Sequence, residues 1–345
     1  MTVRFRPGKL AWKLLGLMVS ISIALILLRE VDFNSFAHMV ARVPAWSLGA
    51  ALAAYLLLNF FRLLRFRTLL EQHDIPAGVF YPIVLYHNFL VRVLPFKTGE
   101  ISYVVLLRQH LNQPLREGVS SLVSSRLFEL FMVIVIGGGA LLLATDLIHL
   151  PQHIALLIVF VGGAVYLAGL YFSGALLHWL AGLIRRVGVH LGSPQLIARG
   201  DNTLNGLAAS FDRVRRPRVF AATLFLSIFT YGMSALFYLV LLYAVGLDAR
   251  PALLLAIVSI VMLAEALPLA TISGLGVIEG GWVFGLVTLA GFDIGPAASI
   301  GFFLHGCQLV AAVATGLIGY LWLQISRRAD LAARLDQGGL DVKQG

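Results

Sequence analysis

Eight stretches of this chain are too apolar to fold in water, and two of them are broken near the middle by proline, glycine and charge. A helix needs roughly 20 predominantly apolar residues to cross about 30 Å of hydrocarbon. Residues 11–29, 45–64, 118–145, 153–173, 219–246 and 297–325 meet that requirement without interruption. Regions 78–107 and 252–291 do not: LPFKTGE at 94–100 splits the first and LPLATISGLGVIEGG at 267–281 splits the second. Each half is about 11 to 17 residues long, too short to span comfortably, so both regions read as re-entrant helical hairpins. The expected fold is an all-α polytopic membrane protein with about six transmembrane helices plus two such hairpins. Composition agrees: 12% of residues are charged, against roughly 25% in soluble domains, and the mean hydropathy is +0.89.

The basic residues set an orientation, because cytoplasmic loops are enriched in Lys and Arg. Arg4, Arg6, Lys9 and Lys13 place the N-terminus in the cytoplasm, and Arg62, Arg65 and Arg67 place the end of the second span there. If region 78–107 enters and returns, Arg108 and Arg116 stay inside, loop 146–152 with Asp146 falls outside, and the basic segment 174–218 falls inside. The last span then exits to Arg327 and Arg328 in the cytoplasm, followed by a short tail, 326–345. The basic n-region and the apolar run from Leu14 to Leu28 fit a retained signal anchor, since the run is long and no convincing A-x-A cleavage site follows it. The chain is therefore expected to be one domain of the cytoplasmic (inner) membrane with both termini cytoplasmic. Units 45–145 and 219–325 each read span, hairpin, span in opposite senses, the inverted repeat of transporters whose site lies near the midplane. Segment 174–218 reads as interfacial: Leu176, Trp179, Leu180, Leu183, Ile184 and Val187 recur at helical spacing with Arg185 and Arg186 off that face. Anionic lipids at the cytoplasmic face are its expected partner.

Seven charged residues fall at membrane depth on this map: Arg92, Lys97, Glu100, Arg126, Glu129, Glu265 and Glu279. Facing lipid they would cost on the order of 20 kcal/mol together, so they are expected to face a protein interior or a wet cavity. Asn88, Thr271, Ser273, His305 and Gln308 lie on the same elements as candidate lining, as do His87, Ser124 and Ser125. Arg126 and Glu129, three apart on one helix, are spaced to pair. Three cations against four carboxylates leave a formal −1, so either some carboxylates neutralise arginines structurally or one is protonated. Glu265 and Glu279 are the candidates for proton coupling. Pro95 stops a helix at Leu94 and Gly99 permits a tight turn; Pro268, Gly274 and Gly276 repeat the break. A restarted half-helix presents free N–H groups and a positive dipole end, which suits an anion. Internal pairing at two hairpin tips would need the same residues.

Other chemistry is poorly supported. The net charge of +9 is dispersed in short clusters rather than one basic patch, which argues against nucleic acid. The single cysteine, Cys307, sits in an apolar run and offers neither a disulfide nor a CxxC metal site. No HExxH, Walker A or G-x-S-x-G motif is present, and no metal, cofactor or catalytic residue is expected. Gly281 and Gly285 form a GxxxG that fits close helix packing.

Four segments carry a family resemblance: R-x-x-R-F-R-x-L-L at 62–70, N-F-L-V-R-V-L-P-F-K-T-G-E at 88–100, S-S-R-L-F-E-L at 124–130, and E-A-L-P followed by G-x-G-V-I-E-G at 265–280. They resemble the flippase-like transmembrane domain of lysylphosphatidylglycerol synthases, the multiple peptide resistance factors, and its stand-alone relatives, over about residues 12–326. The resemblance implies movement of a phospholipid or polyprenyl-linked lipid between leaflets, with membrane lipids as substrate. The chain ends at Gly345 without a soluble synthase domain, so translocation rather than synthesis is the expectation. It departs from the family pattern after the first break, where that pattern usually has an arginine, and at His305, where it often has one. The alternatives are a proton-coupled transporter of a small solute and an accessory subunit of a membrane lipid or glycan pathway. An intramembrane lipid-modifying enzyme would need a metal-binding carboxylate pair at the breaks.

Overall fold

The computed structural model describes residues 7–71, 75–144, 152–190, 192–198, 205–266 and 271–341, and among them every regular element is helical. Loop 146–151, residues 199–204 and Pro268 lie outside the described residues. The helices are α1 (Pro7–Arg29), α2 (Phe33–Ala41), α3 (Ala45–Leu70), α4 (Ala77–Val93), α5 (Gly99–Leu111), α6 (Leu115–Met132), α7 (Gly138–Ala144) and α8 (Gln152–Tyr171). They continue as α9 (Ser173–His190), α10 (Pro194–Ala198), α11 (Asn205–Val214), α12 (Pro217–Ala244), α13 (Pro251–Ala266), α14 (Val277–Ala290) and α15 (Ile294–Asp341).

Among the described residues, four helical stretches are long and apolar enough to cross a membrane: Ala45–Leu70, Leu115–Ala144, Pro217–Ala244 and Ile294–Ser326. A fifth crossing results if Val159–Tyr171 and Ser173–His190, which meet at 57°, form one broken span. The expectation of about six spans also counted α1 and α8; both are present as helices of 23 and 20 residues, and α8 runs almost directly into the bent α9. The chain is a multi-pass membrane protein. The split regions fold as expected into short helices: α4, α13 and α14 have 17, 16 and 14 residues, or roughly 21 to 26 Å at 1.5 Å per residue.

Helix association in lipid lacks a hydrophobic drive and relies on close packing, and the glycines supply it. Gly281 and Gly285 of α14 lie against Val261, Ala264 and Ile257 of α13, with Ile257 Cγ2 only 2.9 Å from where a Gly285 Cβ would sit. Gly316 and Gly319 of α15 do the same against Phe89 and Pro82 of α4. Between α6 and α7 the helix widens into a π turn, Val133–Gly137, whose Gly137 receives Ser259 of α13. The packing is reciprocal. Helix α3 packs along α12; α4 packs on α15, the last span; and α13 packs on the π turn and α7, which end the span begun by α6.

The two hairpins turn differently. Leu94 is extended (ψ 134°), as a residue before proline should be, and Pro95–Lys97 form one 3₁₀ turn before α5 restarts at Gly99. The left-handed residue there is Lys97 (φ 56°), not Gly99. Gly99 is required for another reason, because a side chain on it would collide with the Leu90 and Val91 backbone of α4. In the second hairpin Ser273, Gly274 and Gly276 all have positive φ (57°, 80° and 81°). Helix α1 clamps this turn: the Ser20 hydroxyl donates to the Leu275 carbonyl, and the Ser20 carbonyl occupies the space of any Gly276 side chain.

The segment after α8 folds as α9, α10 and α11. His178 and Asp212 are 2.9 Å apart, Arg213 bonds Glu117 of α6 at 3.2 Å, and the Arg215 guanidinium lies 5.5 Å from the Tyr171 and Phe172 rings. Leu176, Trp179, Leu183 and Val187 leave an apolar face of α9 exposed.

Candidate functional site

The two hairpins, α6 and α12 enclose a cavity of about 480 Å³, within the range typical of small-molecule sites. Of the expected residues, Asn88, Arg92, Lys97, Glu100, Arg126, Glu129, Glu265, Thr271 and Ser273 line it. Five others, His87, Ser124, Ser125, His305 and Gln308, are buried and do not line it. Glu279, 1% exposed, is also removed from the wall.

One wall centres on Glu129. Its carboxylate accepts from Arg126 Nη1 at 2.6 Å and from Arg65 Nη2, with Arg62 Nε at 3.8 Å. The expected i, i+3 pair is therefore real, but Arg126 reaches further. Its Nη2 donates to both oxygens of Glu100 at 2.7 and 2.9 Å. Glu100 is thus held by Arg126 and not by its near neighbour Lys97. Arg62 Nη1 donates to Asn88 Oδ1 at 2.9 Å, and Asn88 in turn donates to Asn59. Arg65 is fully buried and also bonds Ser125 Oγ at 2.7 Å and Ser227 Oγ at 3.3 Å.

The opposite wall centres on Glu265 at the C-terminal end of α13. Its side chain accepts from Tyr238 Oη at 2.9 Å, Gln308 Nε2 at 2.8 Å and Arg92 Nη2 at 3.3 Å. Lys97 Nζ donates to the Glu265 main-chain carbonyl at 2.5 Å, satisfying one of the carbonyls that every helix C-terminus leaves free. Arg92 and Lys97 come from the first hairpin and Glu265 from the second, so this contact joins the two tips.

Glu279 and His305 form a third, enclosed unit. Glu279 Oε2 accepts from the Gly276 N–H at 2.7 Å, capping α14, and its Oε1 is 2.6 Å from His305 Nδ1. His305 Nε2 faces the Ser273 carbonyl at 3.0 Å. A carbonyl only accepts, so Nε2 carries a proton, and a second proton must lie between Nδ1 and the carboxylate. Whichever atom holds that proton, the pair is neutral overall. The matching positions of Glu100 and Glu279 after their breaks conceal different tasks: Glu100 is in the cavity, whereas Glu279 fastens the second tip.

These contacts correct the charge count. Arg62 and Arg65, read from sequence as orientation signals, belong to the cavity network, and the Glu279–His305 unit drops out as neutral. Five cations (Arg62, Arg65, Arg92, Lys97, Arg126) then face three carboxylates (Glu100, Glu129, Glu265), so the described site is net positive by two rather than negative by one. The overlooked signal was spacing: Asn59, Arg62 and Arg65 fall at i, i+3 and i+6 on one face of α3. Tyr231, Ser234 and Thr230 of α12 also line the cavity and were missed, since isolated hydroxyls in an apolar span carry little signal. Among the described residues no group of three His, Cys, Asp or Glu side chains is arranged to hold a metal.

A multi-pass helical bundle with broken helices and a charged internal cavity defines a class of membrane protein. The chain belongs to the lysylphosphatidylglycerol synthase transmembrane region family, whose model matches residues 13–336. No curated protein and no solved structure matches it.

Proposed function

We propose that the protein moves a lipid head group between leaflets through the cavity between its two hairpins, without itself catalysing a reaction. The observation that carries this reading is the amphipathic cavity. Charged groups of Arg62, Arg92, Lys97, Glu100, Arg126, Glu129 and Glu265 line part of it, while Val91, Leu94, Val123, Leu130, Met262 and Ile278 belong to its apolar lining. A molecule with a charged head and an apolar body matches both surfaces, whereas a small soluble solute leaves the apolar part unused. Family membership supports a function connected with membrane lipids.

The mechanism follows from what joins the walls. Arg92 and Lys97 tie the first tip to Glu265 of the second, and a head group competing for those cations loosens that tie. The two hairpins then rock about the α3–α12 contact as inverted halves, presenting the site to either leaflet. On this reading the protein sits in the inner membrane with both termini cytoplasmic, an orientation that the basic segments support, and the exposed apolar face of α9, flanked by Arg185 and Arg186, rests on anionic lipid at that surface.

Reconstitution into liposomes with a fluorescent phospholipid, followed by chemical quenching of the outer leaflet, tests the proposal. Wild-type protein is expected to expose inner-leaflet lipid well above the rate of empty vesicles, and Lys97→Ala or Glu100→Ala to reduce that rate at least tenfold. Wild-type rates equal to those of empty vesicles for phosphate monoesters, diesters and aminoacylated lipids alike would exclude it.

A further inference from the structure

The excess charge has an address. Glu100 is paired with Arg126, Glu129 with Arg126, Arg65 and, more distantly, Arg62, and Glu265 with Arg92. Two cavity-lining cations rest instead mainly on neutral acceptors: Lys97 on the Glu265 carbonyl and Arg62 on the Asn88 amide oxygen. They stand on different elements, the first hairpin tip and α3, so each wall is positive by one. On one side Arg62, Arg126 and the fully buried Arg65 behind them face Glu100 and Glu129; on the other Arg92 and Lys97 face Glu265 alone.

A charge of this size in a partly enclosed site is expensive to leave uncompensated. The complementary ligand carries about two negative charges on one compact group with several acceptor oxygens. A phosphomonoester does so, with roughly −1.5 to −2 at neutral pH and three acceptor oxygens. A phosphodiester has one negative charge and leaves half the excess in place. An aminoacylated head group bearing ammonium charge adds to it. We propose that the cavity selects a terminal phosphate monoester, bridging Lys97 and Arg62 across the two walls, over a phosphodiester or a cationic aminoacyl lipid. This rests on the lipid-transport reading for its biological meaning, but the binding preference stands or falls separately.

The test is equilibrium binding to the full-length protein in detergent, with short-chain phosphatidic acid, phosphatidylglycerol, lysyl-phosphatidylglycerol and inorganic phosphate as four probes. Phosphatidic acid is expected to bind at least tenfold more tightly than phosphatidylglycerol, with lysyl-phosphatidylglycerol weakest. Lys97→Gln and Arg62→Gln are each expected to weaken phosphatidic acid at least fivefold and to change phosphatidylglycerol much less, while Lys97→Arg retains binding. Ser234→Asp, which leaves every cation in place and adds a negative charge to the lining, is expected to have the same selective effect. Inorganic phosphate bound as tightly as phosphatidic acid would overturn the lipid part of the assignment. Equal affinity for mono- and diester, or tightest binding of the lysyl lipid, would overturn the charge argument even if the protein moves lipid. Conversely, selective binding in a protein that moves no lipid refutes the transport reading and leaves the selectivity intact.

Discussion

Glu129 and Lys97 line the same cavity but have opposite consequences when removed. Glu129 bonds the fully buried Arg65 as well as Arg126. Breaking a buried pair by deleting one partner typically costs about 3 to 5 kcal/mol, because the remaining charge stays buried. Glu129→Ala is therefore expected to lower thermal stability in detergent by about 3 kcal/mol or more. Lys97→Ala removes one cap on a helix-end carbonyl, worth about 1 kcal/mol, and is expected to lose transport while melting close to wild type. His305 gives a second contrast. His305→Leu removes the partner of Glu279 Oε1 and of the Ser273 carbonyl and is expected to cost about 3 kcal/mol; His305→Gln, which keeps one donor, is expected to cost less than half as much. Equal melting of the two His305 variants would contradict the two-proton account of that unit. In the sequence Glu129, Lys97 and His305 looked alike, as charges or a histidine at membrane depth. What distinguishes structural from cavity-facing groups is the partner each one finds across helices, and that pairing is a tertiary property.

The helices themselves were largely legible. Apolar run length located α3, α6–α7, α12 and the membrane part of α15, and LP with glycine located both breaks. The role of Gly99 was not legible, because the need for glycine there arises from the backbone of α4 and not from its own φ. Gly276 combines both causes, a positive φ and the Ser20 carbonyl of α1 in its side-chain space. Gly276→Ala is expected to destabilise the second tip by about 1 to 3 kcal/mol, read as a lower melting temperature and faster proteolysis between α13 and α14. Helix α9 carries a separate expectation. With Cys307 replaced by serine, a polarity-sensitive fluorophore at Trp179→Cys should report a lipid-like environment quenched by shallow spin-labelled lipid, and one at Arg185→Cys should report water. Aqueous emission at both positions would mean that the apolar face of α9 does not lie on the bilayer.

Across the whole molecule, the reciprocal packing of α4 on α15 and of α13 on the π turn and α7 surrounds a cavity whose charge is the reverse of the one counted from sequence. That reversal came from two arginines near the end of an apolar helix. Orientation statistics treat such residues as loop markers, yet Arg62 and Arg65 turn inward because Asn88, Ser125 and Glu129 await them. The central claim is that lipid head groups pass through this cavity. Val123 of α6 lines it and is 40% exposed, whereas Val165 of α8 is 67% exposed and does not line it. In a Cys307→Ser background, Val123→Cys and Val165→Cys proteins can be reconstituted and labelled with a bulky thiol reagent, and transport of a fluorescent phosphomonoester lipid measured before and after. The account predicts that labelling at position 123 abolishes transport and labelling at 165 leaves it unchanged; undiminished transport with position 123 fully labelled would contradict it.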